Sequence, residues 1–234
     1  MAQLTVLQMF NRLMRKTGQE AVTTSHLHDL TGLKLRSFEL LQDAVDEFYG
    51  EALWTFAETE TTFTLTAGSQ HYNRPAKARV LDRESFVNRK ADKKMHVVNY
   101  GDFIAEHIDW REATTGDPGT IVPVRGKFRV YPKPATSHAA SAVDYRYWLD
   151  GSTIGTATAS AGATFDRMQR ECQAAILELA AYKVNVEKGA PQALSNYNAY
   201  YGFTEAGEKR VGKLDRCKQS YLSDEIEPSV TVIL

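Results

Sequence analysis

The chain has 234 residues, 43% of them hydrophobic, which is enough for a substantial core in one large domain or two small ones. Its 28 Lys and Arg residues nearly balance 29 Asp and Glu residues, and the net charge is -1. Nucleic-acid binders usually carry a basic excess, so tight DNA binding is not expected. The N-terminus has no charged-then-apolar signal and no apolar run approaches ~18 residues, so we expect neither secretion nor a membrane span.

Two amphipathic helices are predicted near the start. Apolar residues spaced i, i+4, i+7 and i+8 form the stripe of the first helix: Val6, Phe10, Leu13 and Met14. Thr5 can cap its start, and Gly18 suits its end. Spacings of 3, 4, 3 and 4 define the second stripe: Phe38, Leu41, Val45, Phe48 and Ala52. Neither helix can bury its stripe alone, so we expect the helices to pack on each other or on a third.

The middle of the chain has the period of β-strands. Strands are predicted at residues 62–66, 78–81, 95–98 and 143–149, with a hairpin over 121–131 and a short helix after Asn99. Pro132 and Pro134 cannot donate to a sheet ladder, so pairing should end there or lie at an edge. We therefore expect an antiparallel β unit of about five or six strands.

Helical spacing returns after a small-residue stretch, 151–163, that is typical of a loop or linker. One predicted stripe comprises Phe165, Met168, Cys172, Ala175, Ile176, Leu179, Tyr182 and Val186. A last helix carries Leu194, Tyr197, Tyr201, Val211, Leu214, Cys217 and Tyr221, with a break expected near Gly202. Two cysteines make no disulfide framework, so we expect both to be small core residues in a reducing compartment.

The order of helices, strands and helices predicts an α+β fold. Residues 1–56 and 164–223 form the predicted helical bundle domain, residues 57–163 the inserted antiparallel β domain, and residues 224–234 an extended arm. The sequence contains no recognisable catalytic, metal-binding or phosphate-binding motif. His26 and His28 lack further ligands at metal-site spacing, and the 151–163 loop lacks the Gly-Lys-Ser/Thr ending of a phosphate cradle. We predict no catalytic residue, no cofactor and no metal site.

A series of short motifs follows one another along the chain. They are Leu13–Gly18, Leu41-x-x-Ala44-Val45, Leu53–Ala57, the threonine strand ending in Ala67-Gly68, Tyr72-x-x-Pro75, Gly116-Asp117-Pro118, Val130–Pro134, Tyr145-x-Tyr147-Trp148 and the long helix from Phe165. Their order resembles that of the head-to-tail adaptor proteins of tailed bacteriophages, including the tail tubular protein A type. The resemblance extends from residue 4 to about residue 222.

This resemblance implies a structural virion protein at the head-tail junction, assembled in the host cytoplasm. Its subunits would form a ring, commonly a dodecamer, beneath the portal protein. Such a ring extends the DNA channel, lets genomic DNA pass without sequence-specific binding, and offers an attachment surface to tail or nozzle proteins. Two alternatives stay open: another phage structural component of the tail or capsid, and a phage enzyme acting on DNA or cell wall.

The C-terminal arm is the predicted interface. Pro228 blocks continuation of the preceding helix, and the residues beyond it are apolar and β-branched. Such a segment suits addition to an exposed sheet edge of the portal or a neighbouring subunit. The contact residues would be Ile226, Val230, Val232, Ile233 and Leu234. Otherwise the arm covers the sheet of its own subunit or is frayed.

Overall fold

The structure, a computed structural model, describes residues 4–23, 27–107, 115–151, 168, 170–204, 206–221 and 231–232. The chain divides into two compact units. The first comprises Met1–Ala57 and Asp150–Asp224, and the second comprises Glu58–Leu149 and Glu225–Leu234. Most described helices lie in the first unit and the named strands in the second, which confirms the predicted α+β fold class.

Six α-helices lie within the described residues. They are α1 (Val6–Lys16), α2 (Gly32–Gly50), α3 (Tyr100–Glu106), α4 (Arg170–Glu187), α5 (Gln192–Tyr201) and α6 (Lys213–Tyr221). Helix α4 is central in the first unit, because α1, α2, α5 and α6 all contact it. Its neighbours cover it on several sides, so α4 buries polar as well as apolar residues.

Helix α1 forms as its sequence predicts. Thr5 Oγ1 accepts a hydrogen bond from the Gln8 backbone N–H, and Gln8 Oε1 accepts one from the Thr5 N–H, which is a complete capping box. The predicted stripe Val6, Phe10, Leu13 and Met14 is fully buried. This stripe fixes α1 against the other helices of the first unit.

The prediction for α4 is wrong at its end. Cys172, Ala175, Ile176 and Leu179 are buried, but Val186 is 52% exposed on the last turn. Helical spacing identifies the apolar face, but not how far the neighbouring helices extend along it. Phe165 lies outside the described residues.

The predictions for the last helix and for the cysteines also need correction. Helix α5 ends at Tyr201, and Gly202 at its C-cap has a left-handed conformation, which confirms the predicted break near Gly202. Leu194 and Val211, which were placed in the apolar stripe, are exposed.

Cys172 and Cys217 are buried, but they are joined in a disulfide across α4 and α6 with a Cα–Cα distance of 5.5 Å. The two helices pack closely enough to bring together cysteines 45 positions apart in sequence.

Twelve strands lie within the described residues. They are β1 (Glu58–Thr64), β2 (His71–Asn73), β3 (Ala78–Leu81), β4 (Val87–Asn88), β5 (Lys93–Lys94), β6 (His96–Val97), β7 (Thr115–Gly116), β8 (Thr120–Val124), β9 (Lys127–Tyr131), β10 (Lys133–Pro134), β11 (Ala142–Leu149) and β12 (Thr231–Val232). Strand β11 is the centre of a six-stranded sheet. It pairs with β1 along its length, with β3 near its C-terminal end and with β4 near its N-terminal end.

A four-stranded sheet has the order β2-β9-β8-β6, and β7 pairs with β10. The sequence predicted antiparallel pairing, whereas β6 pairs parallel with β8 and β7 pairs parallel with β10. The predicted hairpin is confirmed as β8 and β9, which turn at Arg125 and Gly126 with positive φ angles. Pro123 fits within β8 because β6 pairs only as far as Ile121, leaving β8 an edge strand there.

The core of the second unit is aromatic. Phe86 stacks on Tyr145 at a centroid distance of 4.8 Å, and Phe128 packs edge-on against both rings. Tyr145 and Tyr147 lie on one face of β11 and are buried. Trp148 alternates to the opposite face and is also buried.

Candidate assembly surfaces

The C-terminal arm is described only at β12. Thr231 pairs with Leu81 and Val232 with Val80, so the backbone adds antiparallel to β3 at one edge of the six-stranded sheet of its own chain. This pairing corresponds to the alternative in which the arm covers its own subunit. Of the predicted contact residues, Ile226, Val230, Ile233 and Leu234 lie outside the described residues. Their role as an interface stays a prediction.

A second surface lies on α4 and α5. Its aromatic rings follow one another: Tyr182 is 5.2 Å from Tyr197, which is 4.7 Å from Tyr201 and 6.1 Å from Phe203 between centroids. Leu194, three positions before Tyr197 on α5, is 66% exposed. We call Tyr182, Val186, Leu194, Tyr197, Tyr201 and Phe203 the α4–α5 face. Val186, Leu194 and Phe203 are exposed, and the three tyrosines are half-buried. Apolar side chains grouped at a surface in this way are typical of protein contact sites.

The sequence contained part of the evidence for this face. The spacing of Tyr197 and Tyr201 was recognised, but it was interpreted as core together with Leu194 and Val186. Tyrosine suits both positions because one end of the side chain is apolar and the other is polar. Burial and the negative charges of Glu47 and Glu51 raise the pKa of Tyr201 to about 12.

The outer face of α2 is acidic, with Asp43, Asp46 and Glu47 close together in sequence. Glu47 forms an ion pair of 2.7 Å with Lys183 of α4. Burial raises the pKa of Asp46, and the negative charges of Asp150 and Asp43 raise it further. A Cβ atom on Gly151 would lie 2.9 Å from the Asp46 Cα, so the backbone at Gly151 lies tightly against α2.

A buried carboxylate connects four helices of the first unit. Glu178 of α4 accepts hydrogen bonds from Lys16 of α1 at 3.1 Å, from Asn196 of α5 at 2.9 Å and from Lys213 of α6. Asn185 in turn donates to the Asn196 side-chain oxygen at 2.9 Å. The α4–α5 face is therefore built on helices whose relative positions are fixed by a polar network.

The described residues contain no group of three or more His, Cys, Asp or Glu residues placed to hold a metal ion. No helix described in the structure is long and apolar enough to cross a membrane.

The folded chain is thus an α+β protein with one helical unit, one unit of sheets and exposed surface suited to protein association. Residues 4–220 match the family model described as SU10 adaptor protein. The chain therefore belongs to the SU10 adaptor protein family, and it is a structural head-to-tail adaptor.

Other comparisons add little to this assignment. No curated protein sequence matches the chain. A chain in a solved structure described as "Neck of empty GTA particle computed with C6 symmetry" is similar at 11% identity, with 96% of each chain covered and a TM-score of 0.30. A TM-score of this size is too low to carry a conclusion about this chain.

Proposed function

We propose that this protein forms a homo-oligomeric ring at the head-tail junction of a tailed bacteriophage. The ring lies beneath the portal protein, continues the DNA channel and presents the attachment surface for tail or nozzle proteins. The tail tubular protein A subgroup, a dodecameric state and assembly in the host cytoplasm are the finer parts of this proposal. The protein acts as a scaffold and not as an enzyme.

The observation that carries the proposal is the family match over residues 4–220, which includes both units of the fold. The α4–α5 face supports it, because a ring needs large contacts between subunits and aromatic residues are enriched in such contacts. In a cyclic ring the two contacting patches on each subunit differ. The α4–α5 face would supply one of them.

The C-terminal arm is the second proposed contact. In the described chain, β12 pairs with β3 of the same subunit. If β12 paired instead with β3 of a neighbouring subunit, the same backbone hydrogen bonds would link the two subunits. This exchange would need no additional side-chain contacts. We propose that Ile226, Val230, Val232, Ile233 and Leu234 contact a neighbouring subunit or the portal in the assembled connector.

The direct test is electron microscopy and mass photometry of the purified full-length chain, alone and mixed with its portal protein. A ring that stacks coaxially on the portal is the expected result. A particle that binds elsewhere on the virion would favour another tail or capsid component. A purified monomer that never associates with the portal would contradict the proposal.

Two variants test the contacts. Val186 and Val211 are both 52% exposed, but only Val186 belongs to the α4–α5 face. We expect Val186→Asp to weaken assembly at least ~10-fold, since burying an unpaired charge in a contact is costly, while Val211→Asp has little effect. Deletion of residues 228–234 should leave a folded subunit that assembles poorly. If the shortened chain assembles and docks as well as the full chain, the arm has no such role.

A further inference from the structure

Positive charge is concentrated in two segments of the second unit. The segment from Thr61 to Leu81 has three Lys or Arg residues and no Asp or Glu. The segment from Pro118 to Val143 has four Lys or Arg residues and again no Asp or Glu. These two segments together carry seven positive charges and no negative one. The whole chain has a net charge of -1, so this is a strong local asymmetry.

The sheet brings the two segments together. Strand β2 pairs with β9, with Asn73 opposite Lys127, and the Arg74 backbone N–H donates to the Gly126 carbonyl at 3.0 Å. The turn at Arg125 and Gly126 therefore lies beside the loop that follows β2, which includes Lys77. We call Lys77, Arg125 and Lys127 the basic tip.

Each member of the basic tip is exposed. Within the ranges that the structure describes, none of the three forms an ion pair with an acidic side chain. Burial lowers the pKa of His71, and the positive charges of Arg129 and Lys127 lower it further.

We propose that the basic tip binds the phosphate backbone of duplex DNA, in a contact that is weak and independent of sequence. The inference rests on the proposed function, because a ring that continues the DNA channel brings the subunit close to the duplex. Lys and Arg are the usual partners of phosphate oxygens, and such contacts position a duplex without reading its bases. Three cations per subunit give few contacts, so DNA can still move past.

An acidic protein surface is the rival partner for the same charges. Two features favour DNA. The cations lie on a turn, on the strand residue that follows it and on an adjoining loop. Such a small projecting group can contact a curved DNA backbone without a matching flat protein surface. The basic tip also lacks a large exposed apolar side chain, which a stable protein contact usually includes.

The test compares three full-length proteins: the wild type, the tip variant K77Q/R125N/K127Q and the control variant K90Q/K93Q/K94Q. Asparagine is chosen at position 125 because Arg125 has a φ angle of 33° and Asn tolerates the left-handed region. The control removes the same number of positive charges from exposed residues of the same unit, at and beside the β4–β5 hairpin. Circular dichroism and mass photometry first establish that all three proteins share fold and oligomeric state.

Fluorescence anisotropy then measures binding to two unrelated DNA duplexes between about 25 and 200 mM salt. We expect the slope of log K against log salt to fall by about 1 for each phosphate contact removed, in the tip variant only and equally for both duplexes. Equal slopes for all three proteins, or an equal fall in the control, would overturn the proposal. So would a tip variant that keeps its DNA binding but no longer binds the portal, since the basic tip would then be a protein contact.

Failure of the proposed function has a separate readout. If the wild type forms no ring, alone or with the portal, the proposed ring function is contradicted. The salt dependence of DNA binding can still be compared among the three proteins. Conversely, if the ring docks normally on the portal while the tip variant keeps the wild-type salt dependence of DNA binding, only the proposed DNA contact of the basic tip is contradicted.

Discussion

Replacing Glu178 by Gln should destabilise the helical unit more than replacing any partly exposed carboxylate of that unit. The Glu178 side chain is 7% exposed, and it accepts hydrogen bonds from α1, α5 and α6. Removing one partner of a buried ion pair costs about 3–5 kcal/mol, mainly because the other charge loses its partner. Lys16 and Lys213 are 32% and 39% exposed and can turn toward water. We therefore expect about 2–3 kcal/mol.

Urea unfolding followed by circular dichroism measures this loss, since the helices dominate the signal. The matched control is Glu47→Gln, because Glu47 also pairs with a lysine of the helical unit but is 38% exposed. Such pairs contribute about 1 kcal/mol or less. If Glu178→Gln costs no more than Glu47→Gln, the network does not hold the helices as argued.

The pH dependence provides a second check on Glu178. Burial raises the pKa of Glu178, but the hydrogen bonds from Lys213, Asn196 and Lys16 outweigh burial and hold the pKa below its ordinary value. In the unfolded chain the pKa of a Glu side chain is about 4.3. Because the pKa of Glu178 is lower in the folded state, its carboxylate stabilises the fold at pH values above about 4.3. This stabilisation is lost as the pH falls through the pKa of the folded state. The difference between wild type and Glu178→Gln should therefore be constant near pH 7 and shrink below about pH 4.

Two further predictions concern the chain between α5 and α6 and the bond to α4. Gly212→Ala should cost about 1–3 kcal/mol more than Gly207→Ala in urea unfolding. A Cβ at Gly212 would collide with the Tyr200 carbonyl, whereas the space around Gly207 is open and alanine there meets only the strain of a φ of 81°. Equal costs would show that the backbone at Gly212 shifts freely. Reduction of the Cys172–Cys217 bond, which spans 45 positions, should lower stability by about 4 kcal/mol, and a double alanine variant should not respond to the reductant.

Features that depend on neighbouring residues could be predicted from the sequence. Short runs of β-branched and apolar residues identified β8, β9 and β11, and the hairpin over residues 121–131 followed from the short gap between two of these runs. The stripe of α1 was equally clear, because helical spacing and the Thr5 cap both indicated the same helix. In each case the physical cause acts within about ten residues of the chain.

Features that depend on packing between distant segments could not be predicted. The Cys172–Cys217 bond requires α4 and α6 to lie side by side, and neither local pattern indicates this contact. Leu194 and Val186 have helical spacing whether or not another helix covers them. The α4–α5 face was therefore interpreted as core, although the same residues suit a contact that forms only on assembly.

The basic tip shows that overall charge is a poor guide to the local charge of a surface. A net charge of -1 argued against DNA contact, yet that figure is a sum over 57 charged residues and does not depend on where they lie. Two acid-free segments separated by 36 residues become neighbours only when β2 pairs with β9. For the proposed DNA channel, balanced overall charge with local basic contacts is physically sensible. The few contacts would guide the duplex, and the neutral remainder would keep it from being held.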